Sequence, residues 1–218
     1  MKRYTDGRSE IVTSLHDERL ERVLHALLEA NAESVLDLGC GPGELMARLA
    51  AERRFTRIAG IDTSLEALAE ARHLLTVEDC VWDDTRLSLH HSSFMTFIED
   101  LAGFDAAVMV ETIEHVDPHR LSAVEQTVFA GYRPQTVLVT TPNSEYNVLH
   151  GIPDGVFRHR DHRFEWTRSK FRKWAEGVAG RHGYRTVFNE IGPVDPALGS
   201  STQMAIFSRT SKGDGLRD

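Results

Sequence analysis

Beginning at Ser14, apolar residues Leu20, Val23, Leu24, Leu27 and Leu28 recur at the spacing of one helix face. Ser14 is a candidate N-cap, with Asp17 and Glu18 in the first turn, so an amphipathic opening helix is expected. Five short apolar runs follow at 34–38, 57–61, 87–91, 104–110 and 136–141, each too short for a helix and predicted to be a buried strand. The stretches between them, 44–53, 64–75, 93–101 and about 113–131, carry helical spacing. Regularity stops at 142–166, which has two prolines, two glycines, three histidines and no period, and is expected to be a long functional loop. A helix over about 167–181 and strand-like runs at 185–191 and 203–208 complete the pattern. Strands alternating with helices predict an α/β fold with a doubly wound, mostly parallel, seven-stranded sheet.

At 218 residues and 41% hydrophobic content, the chain suffices for one such domain and not for two. Its expected extent is 14–210, with 142–166 as an insertion, a flexible polar segment at 1–13 and a charged tail at 211–218. No signal-like or membrane-spanning apolar stretch is present, and Cys40 and Cys80 form neither a disulfide framework nor a metal-ligand spacing. A cytoplasmic protein without a membrane partner is expected. The net charge of -8 argues against a broad nucleic-acid-binding face, so any such contact must be local.

The first predicted strand runs into Asp37-Leu38-Gly39-Cys40-Gly41-Pro42-Gly43-Glu44, a glycine turn that lets a ligand approach the backbone. A dinucleotide fingerprint would need glycine where Glu44 stands, and that carboxylate disfavours a pyrophosphate. With Asp37, it suits a ligand bearing an ammonium and a sulfonium. The second strand ends at Asp62, 19 residues after Gly43, where a carboxylate can accept bonds from two ribose hydroxyls or simply cap the next helix. The turn resembles the first motif of class I methyltransferases, whose fold is Rossmann-like. That resemblance implies S-adenosylmethionine, with Asp37, Gly39, Gly41, Gly43 and Asp62 around it and the adenine near Ser92 and Ser93.

At the end of the fourth strand, Glu111, Glu114 and His115 fall at the i, i+3, i+4 spacing of a helical turn. Two carboxylates and an imidazole can hold a metal, or serve a helix dipole beside a structural histidine. Further along stand Thr141-Pro142-Asn143-Ser144-Glu145 and Asp161-His162-Arg163-Phe164-Glu165-Trp166-Thr167-Arg168. Together the Glu-x-x-Glu-His, Thr-Pro-Asn-x-Glu and Asp-His-x-Phe-Glu-Trp-Thr-Arg stretches resemble the small-RNA 3′-terminal 2′-O-methyltransferases, including their bacterial RNA-repair branch. The likeness covers roughly residues 15–195.

By motif, the resemblance implies one divalent metal ion, Mn or Mg, on Glu111, Glu114, His115 and His162, the same residues being catalytic. The substrate implied is an RNA 3′ end with free 2′,3′-hydroxyls, with a repair kinase or ligase as partner. His159 lies outside the motif and is expected to meet RNA or solvent; His90 and His91 are expected to be structural and without partners. Residues 158–173 carry seven Lys or Arg against Asp161 and Glu165, a net of +5 that could hold a few phosphates or form an exposed helix face. Phe164 and Trp166 can stack on a base or belong to the core. His115 is the expected proton acceptor, although a ring nitrogen on a metal cannot also take a proton. The competing readings are a metal-independent small-molecule methyltransferase and a non-catalytic RNA-binding module.

Overall fold

The structure is a computed structural model that describes residues 7–77 and 85–210; Cys80 and the 211–218 tail lie outside the described residues. Strands β1 (Ser34–Leu38), β2 (Arg57–Asp62), β3 (Leu87–His91), β4 (Ala106–Val110), β5 (Thr136–Pro142), β6 (Tyr184–Asp195) and β7 (Gly199–Arg209) form one sheet in the order β3-β2-β1-β4-β5-β7-β6. The pairings from β3 through β5 are parallel, and β7 runs antiparallel to both β5 and β6. The expected seven-stranded, doubly wound sheet is therefore present. Strand order reverses between β1 and β4, which opens a crevice at their carboxyl ends.

Burial on both faces explains why these strands read as continuous apolar runs. Val35, Ala106, Val108 and Leu138 face one core, shared with α1 (Gly7–Glu29), α2 (Glu44–Ala51) and α3 (Leu65–Val77). Their neighbours Leu36, Ala107, Met109 and Val139 face the other, where α4 (Leu121–Glu125) and α5 (Arg168–His182) pack with Phe129, Phe171 and Phe207. No helix among the described residues is long and apolar enough to cross a membrane.

Three expected elements differ. Helix α1 starts at Gly7 rather than Ser14, so the backbone of 7–13, expected to be loose, is helical. Of the helix expected over 93–101, only a 3-10 turn at Glu99–Leu101 forms. Its amides are claimed elsewhere: Met95 N–H donates to Ser93 Oγ at 3.2 Å and Ile98 N–H to the Tyr132 hydroxyl at 3.1 Å. The helix expected over 113–131 is broken at Asp117-Pro118, because the residue before proline is driven out of the helical region; Asp117 sits at ψ 132. Short 3-10 turns at Ile113–His115 and Pro118–Arg120 precede α4, which widens into a π turn over Gln126–Tyr132.

Gly43 caps α2 at φ 85, and a Cβ there would lie 2.8 Å from Ala71 Cβ and 3.1 Å from Ala71 Cα on α3. Gly43→Ala should therefore cost about 2–4 kcal/mol, from left-handed strain and overpacking together. An unchanged urea midpoint would contradict this packing.

Candidate active site

The glycine turn is pinned from below and open above. Gly39 and Cys40 N–H groups donate to the Ile61 carbonyl at 2.8 and 3.0 Å, and Gly41 N–H donates to Asp62 Oδ2 at 2.9 Å. Gly41 has φ 52, and a Cβ there would meet nothing within 4 Å, so its backbone faces open space. A cleft of about 160 Å³ lies alongside, lined by His16, Leu20, Asp37, Gly41, Glu44 and Val110 among others. Asp37 is buried beneath the turn, and burial together with the Asp62 charge pushes its carboxyl up to about 7. Asp62 is half-buried and its Oδ1 also accepts from Ser64 N–H at 2.8 Å, so it shapes both the turn and the start of α3. The same burial and the charges of Asp37 and Asp62 push the Cys40 thiol up, which keeps it neutral.

Ser92 and Ser93 follow β3, where Ser92 N–H donates to the Asp62 carbonyl at 3.0 Å. His90 and His91 are not without partners: they contact Ser88 Oγ and the Thr63 carbonyl, each at 3.0 Å.

At the end of β4 the backbone turns sharply. Glu111 is in the left-handed region at φ 51, an unusual place for a residue other than glycine and one that local bonds must hold. Thr140 on β5 holds it: Glu111 N–H donates to Thr140 Oγ1 at 3.0 Å, and that hydroxyl donates to Glu111 Oε1 at 3.0 Å. Arg19 Nη2 on α1 stands 3.3 Å from Glu111 Oε2. The expected helical turn through 111, 114 and 115 is thus replaced by a 3-10 turn over Ile113–His115, with Glu111 outside it. Glu114 is fully buried; Thr141 Oγ1 donates to its Oε2 at 3.0 Å and its Oε1 has no partner. Burial, then the Glu111 charge, hold its carboxyl well above the usual range, which favours the neutral acid.

The 142–166 loop folds over this point. A 3-10 stretch at Ser144–His150 begins it, and Asn143 pairs with Trp166 at its close. Arg163 N–H donates to the Glu114 carbonyl at 2.7 Å. Within the loop, His162 Nδ1 lies 2.6 Å from Glu165 Oε1, with the side chains 8% and 1% exposed. Although burial raises the Glu165 carboxyl, bonds from His162, Asn147 and the Arg158 amide outweigh it and hold the group below its ordinary value. Among the described residues, one ring nitrogen each of His115, His159 and His162 all lie within 4.8 Å of one another. The carboxylates of Glu111 and Glu114 do not share that mutual spacing. Loss of hydration and the neighbouring His162 and His159 lower the His115 pKa.

Phe164 and Trp166 are core: they are 5% and 4% exposed and stack on each other at 4.2 Å. The basic segment is partly spent on structure as well. Arg158 is drawn into the loop, Arg168 pairs with Glu145 at 2.8 Å, and Arg172 lies over the Phe188 ring. Arg160 stays exposed, with its Nε 3.8 Å from Asp161. Sequence reading missed Arg19, Thr140 and Thr141, which look there like ordinary helix and strand residues, and it gave Glu165 no role beyond its motif.

This sheet order and crevice define the class I methyltransferase fold, and residues 13–184 match the family model described as a methyltransferase domain. A small RNA 2'-O-methyltransferase of Gallus gallus is 32% identical over 215 residues, which cover 94% of this chain and 56% of that protein. One from Arabidopsis thaliana is 31% identical over 216 residues, covering 89% of this chain and 22% of that protein. The crystal structure of the methyltransferase domain of bacterial CtHen1-C superimposes with a TM-score of 0.80 at 42% identity, covering 90% of this chain and all of that one. The chain belongs to the Hen1 family of small-RNA methyltransferase domains, bacterial branch. It spans between 22% and 63% of the curated relatives compared.

Because Glu114 is buried in surroundings that favour its neutral form, with one oxygen unpartnered among the described residues, an amide should replace it without loss of fold. Glu114→Gln should leave the stability of the metal-free protein at pH 7 unchanged or raise it by about 1 kcal/mol. The carboxyl's raised pKa means that its contribution is greatest in acid and is lost as pH rises from the ordinary value of 4.5 through the raised one. A drop of several kcal/mol at pH 7 for the amide would show instead that Glu114 is ionised and paired.

Proposed function

We propose that this domain transfers the methyl group of S-adenosylmethionine to the 2′-hydroxyl of the 3′-terminal nucleotide of an RNA. What supports the reading is that the turn after β4 carries Glu111, Glu114 and His115, that a ring nitrogen of His162 lies within 4.8 Å of one on His115, and that β4 borders the crevice that begins at the β1 glycine turn. Around the cofactor, the Gly39, Gly41 and Gly43 turn supplies close backbone approach, Asp37 faces the cationic end, and Asp62 takes the ribose hydroxyls. Ser92 and Ser93 border the adenine.

The donor set fits a divalent ion. Glu114 Oε1 is a buried oxygen in want of a partner, and Glu165 holds His162 Nδ1, which leaves the other ring nitrogen free as in many metal-bound histidines. Glu111, Glu114, His115 and His162 would hold it, and bound to the terminal 2′- and 3′-hydroxyls it would acidify the nucleophile. His115, whose lowered pKa favours the neutral ring, is the group that would take the 2′-hydroxyl proton, through the ring nitrogen not used as a ligand or through a water. Few phosphate contacts are expected, since several basic side chains of 158–173 are already engaged. A setting in RNA repair, beside a kinase or ligase, rests on the motif resemblance alone.

Two outcomes follow. The burial that holds Asp37 near 7 opposes its ionisation, whereas a cationic ligand favours it, so cofactor affinity should rise with pH from 6 to 8. Calorimetry should record that rise and proton release, and Asp37→Asn should flatten it; a slope of the opposite sign would remove Asp37 from the site. For the substrate, matched oligonucleotides ending in 2′,3′-hydroxyls, a 3′-phosphate or a 2′-deoxy sugar should be methylated only in the first case, and not after chelation. Methylation of the 3′-phosphate, or full activity in chelator, would favour a metal-independent methyltransferase acting on another substrate.

A further inference from the structure

We propose that His159 is a third imidazole ligand of the divalent ion, beside His115 and His162. The inference rests on the metal reading above and adds a residue that the sequence motif leaves out. Its basis is convergence: ring centroids stand 4.9 Å apart for His115 and His162, 5.7 Å for His159 and His162, and 6.0 Å for His115 and His159. A ring nitrogen of each lies within 4.8 Å of the other two.

The chain builds this deliberately compact group with a tight turn. His162 N–H donates to the His159 carbonyl at 3.1 Å, which reverses the chain over 159–162 and brings the two side chains to one side. Two of the rings also have an outer holder. Glu165 holds His162 Nδ1 at 2.6 Å. His159 Nδ1 accepts from the Asp161 amide at 3.3 Å, and Asp161 Oδ2 stands 3.7 Å from the same nitrogen.

Three ring nitrogens this close together can each give a lone pair to a single cation. The carboxylate side meanwhile offers less than the motif suggests. Both Glu111 oxygens are engaged, one by Thr140 and one by Arg19, so Glu114 Oε1 is the open carboxyl oxygen. A nitrogen-rich set of this kind selects Co, Zn or Mn over Mg.

The test is titration of the full chain with Co(II), read by calorimetry and by visible absorption, for wild type, His159→Ala, His162→Ala and His25→Ala. His25 is an exposed histidine on α1 and serves as control. His159→Ala should weaken Co(II) by at least the ~10-fold that loss of an outer-shell partner produces, and should change the absorption bands, while its unfolding midpoint stays at the wild-type value. His25→Ala should match wild type throughout. If His162→Ala loses the ion and His159→Ala keeps wild-type affinity and spectrum, His159 is no ligand and the metal reading stands without it. If wild type takes up no Co(II), both fall.

Discussion

The site depends on a charge taken into the protein. Arg158 sits inside the 142–166 loop, where its guanidinium donates to the Asn143 carbonyl at 2.5 Å, to Asn147 Oδ1 at 2.6 Å and to the Ser201 carbonyl and hydroxyl at 3.0 Å. Its backbone amide donates to Glu165 at 2.6 Å. Burial alone would lower the guanidinium's pKa, and the Glu165, Glu111 and Glu114 carboxyls work against that. A fork of fixed N–H donors can bind several carbonyls at once, which a lysine cannot. The irregular loop is thereby tied to the ends of β5 and β7, and Glu165 is placed to hold His162 against His115.

The opening helix performs a matching task on the other side. From one stretch of α1, His16 reaches Glu44 behind the glycine turn at 2.5 Å, and Arg19 reaches Glu111 and, at 3.1 Å, Thr202 Oγ1. One rigid element thus touches both the cofactor cleft and the end of β4. Glu111 is held between Arg19 and Thr140 in a backbone conformation that costs energy, and such strain persists only where its surroundings fix it.

Much of this was legible in the sequence for physical reasons. Buried parallel strands must be apolar on both faces, so β1 to β5 stood out as apolar runs, and the glycine turn announced itself by three glycines in five residues. Helices at 93–101 and 113–131 were misread because apolar spacing does not reveal that Ser93 and Tyr132 take the amides of the first, while the break at Asp117-Pro118 was visible and underweighted. For the site, residue identity pointed to Glu111, Glu114, His115 and His162. It could not point to Arg19, Thr140 or Thr141, whose roles come from strands and helices meeting across the sheet, nor show that a turn folds His159 back on His162.

The central claim is that this fold assembles carboxyls and imidazoles at the end of β4 around the terminal sugar of an RNA. Anomalous diffraction from crystals grown with Mn(II), S-adenosylhomocysteine and a short RNA ending in 2′,3′-hydroxyls tests it most directly. The account predicts one manganese peak in the space bounded by Glu111, Glu114, His115, His159 and His162, with both terminal hydroxyls against it. A peak elsewhere, or an RNA end bound away from β4, would contradict it.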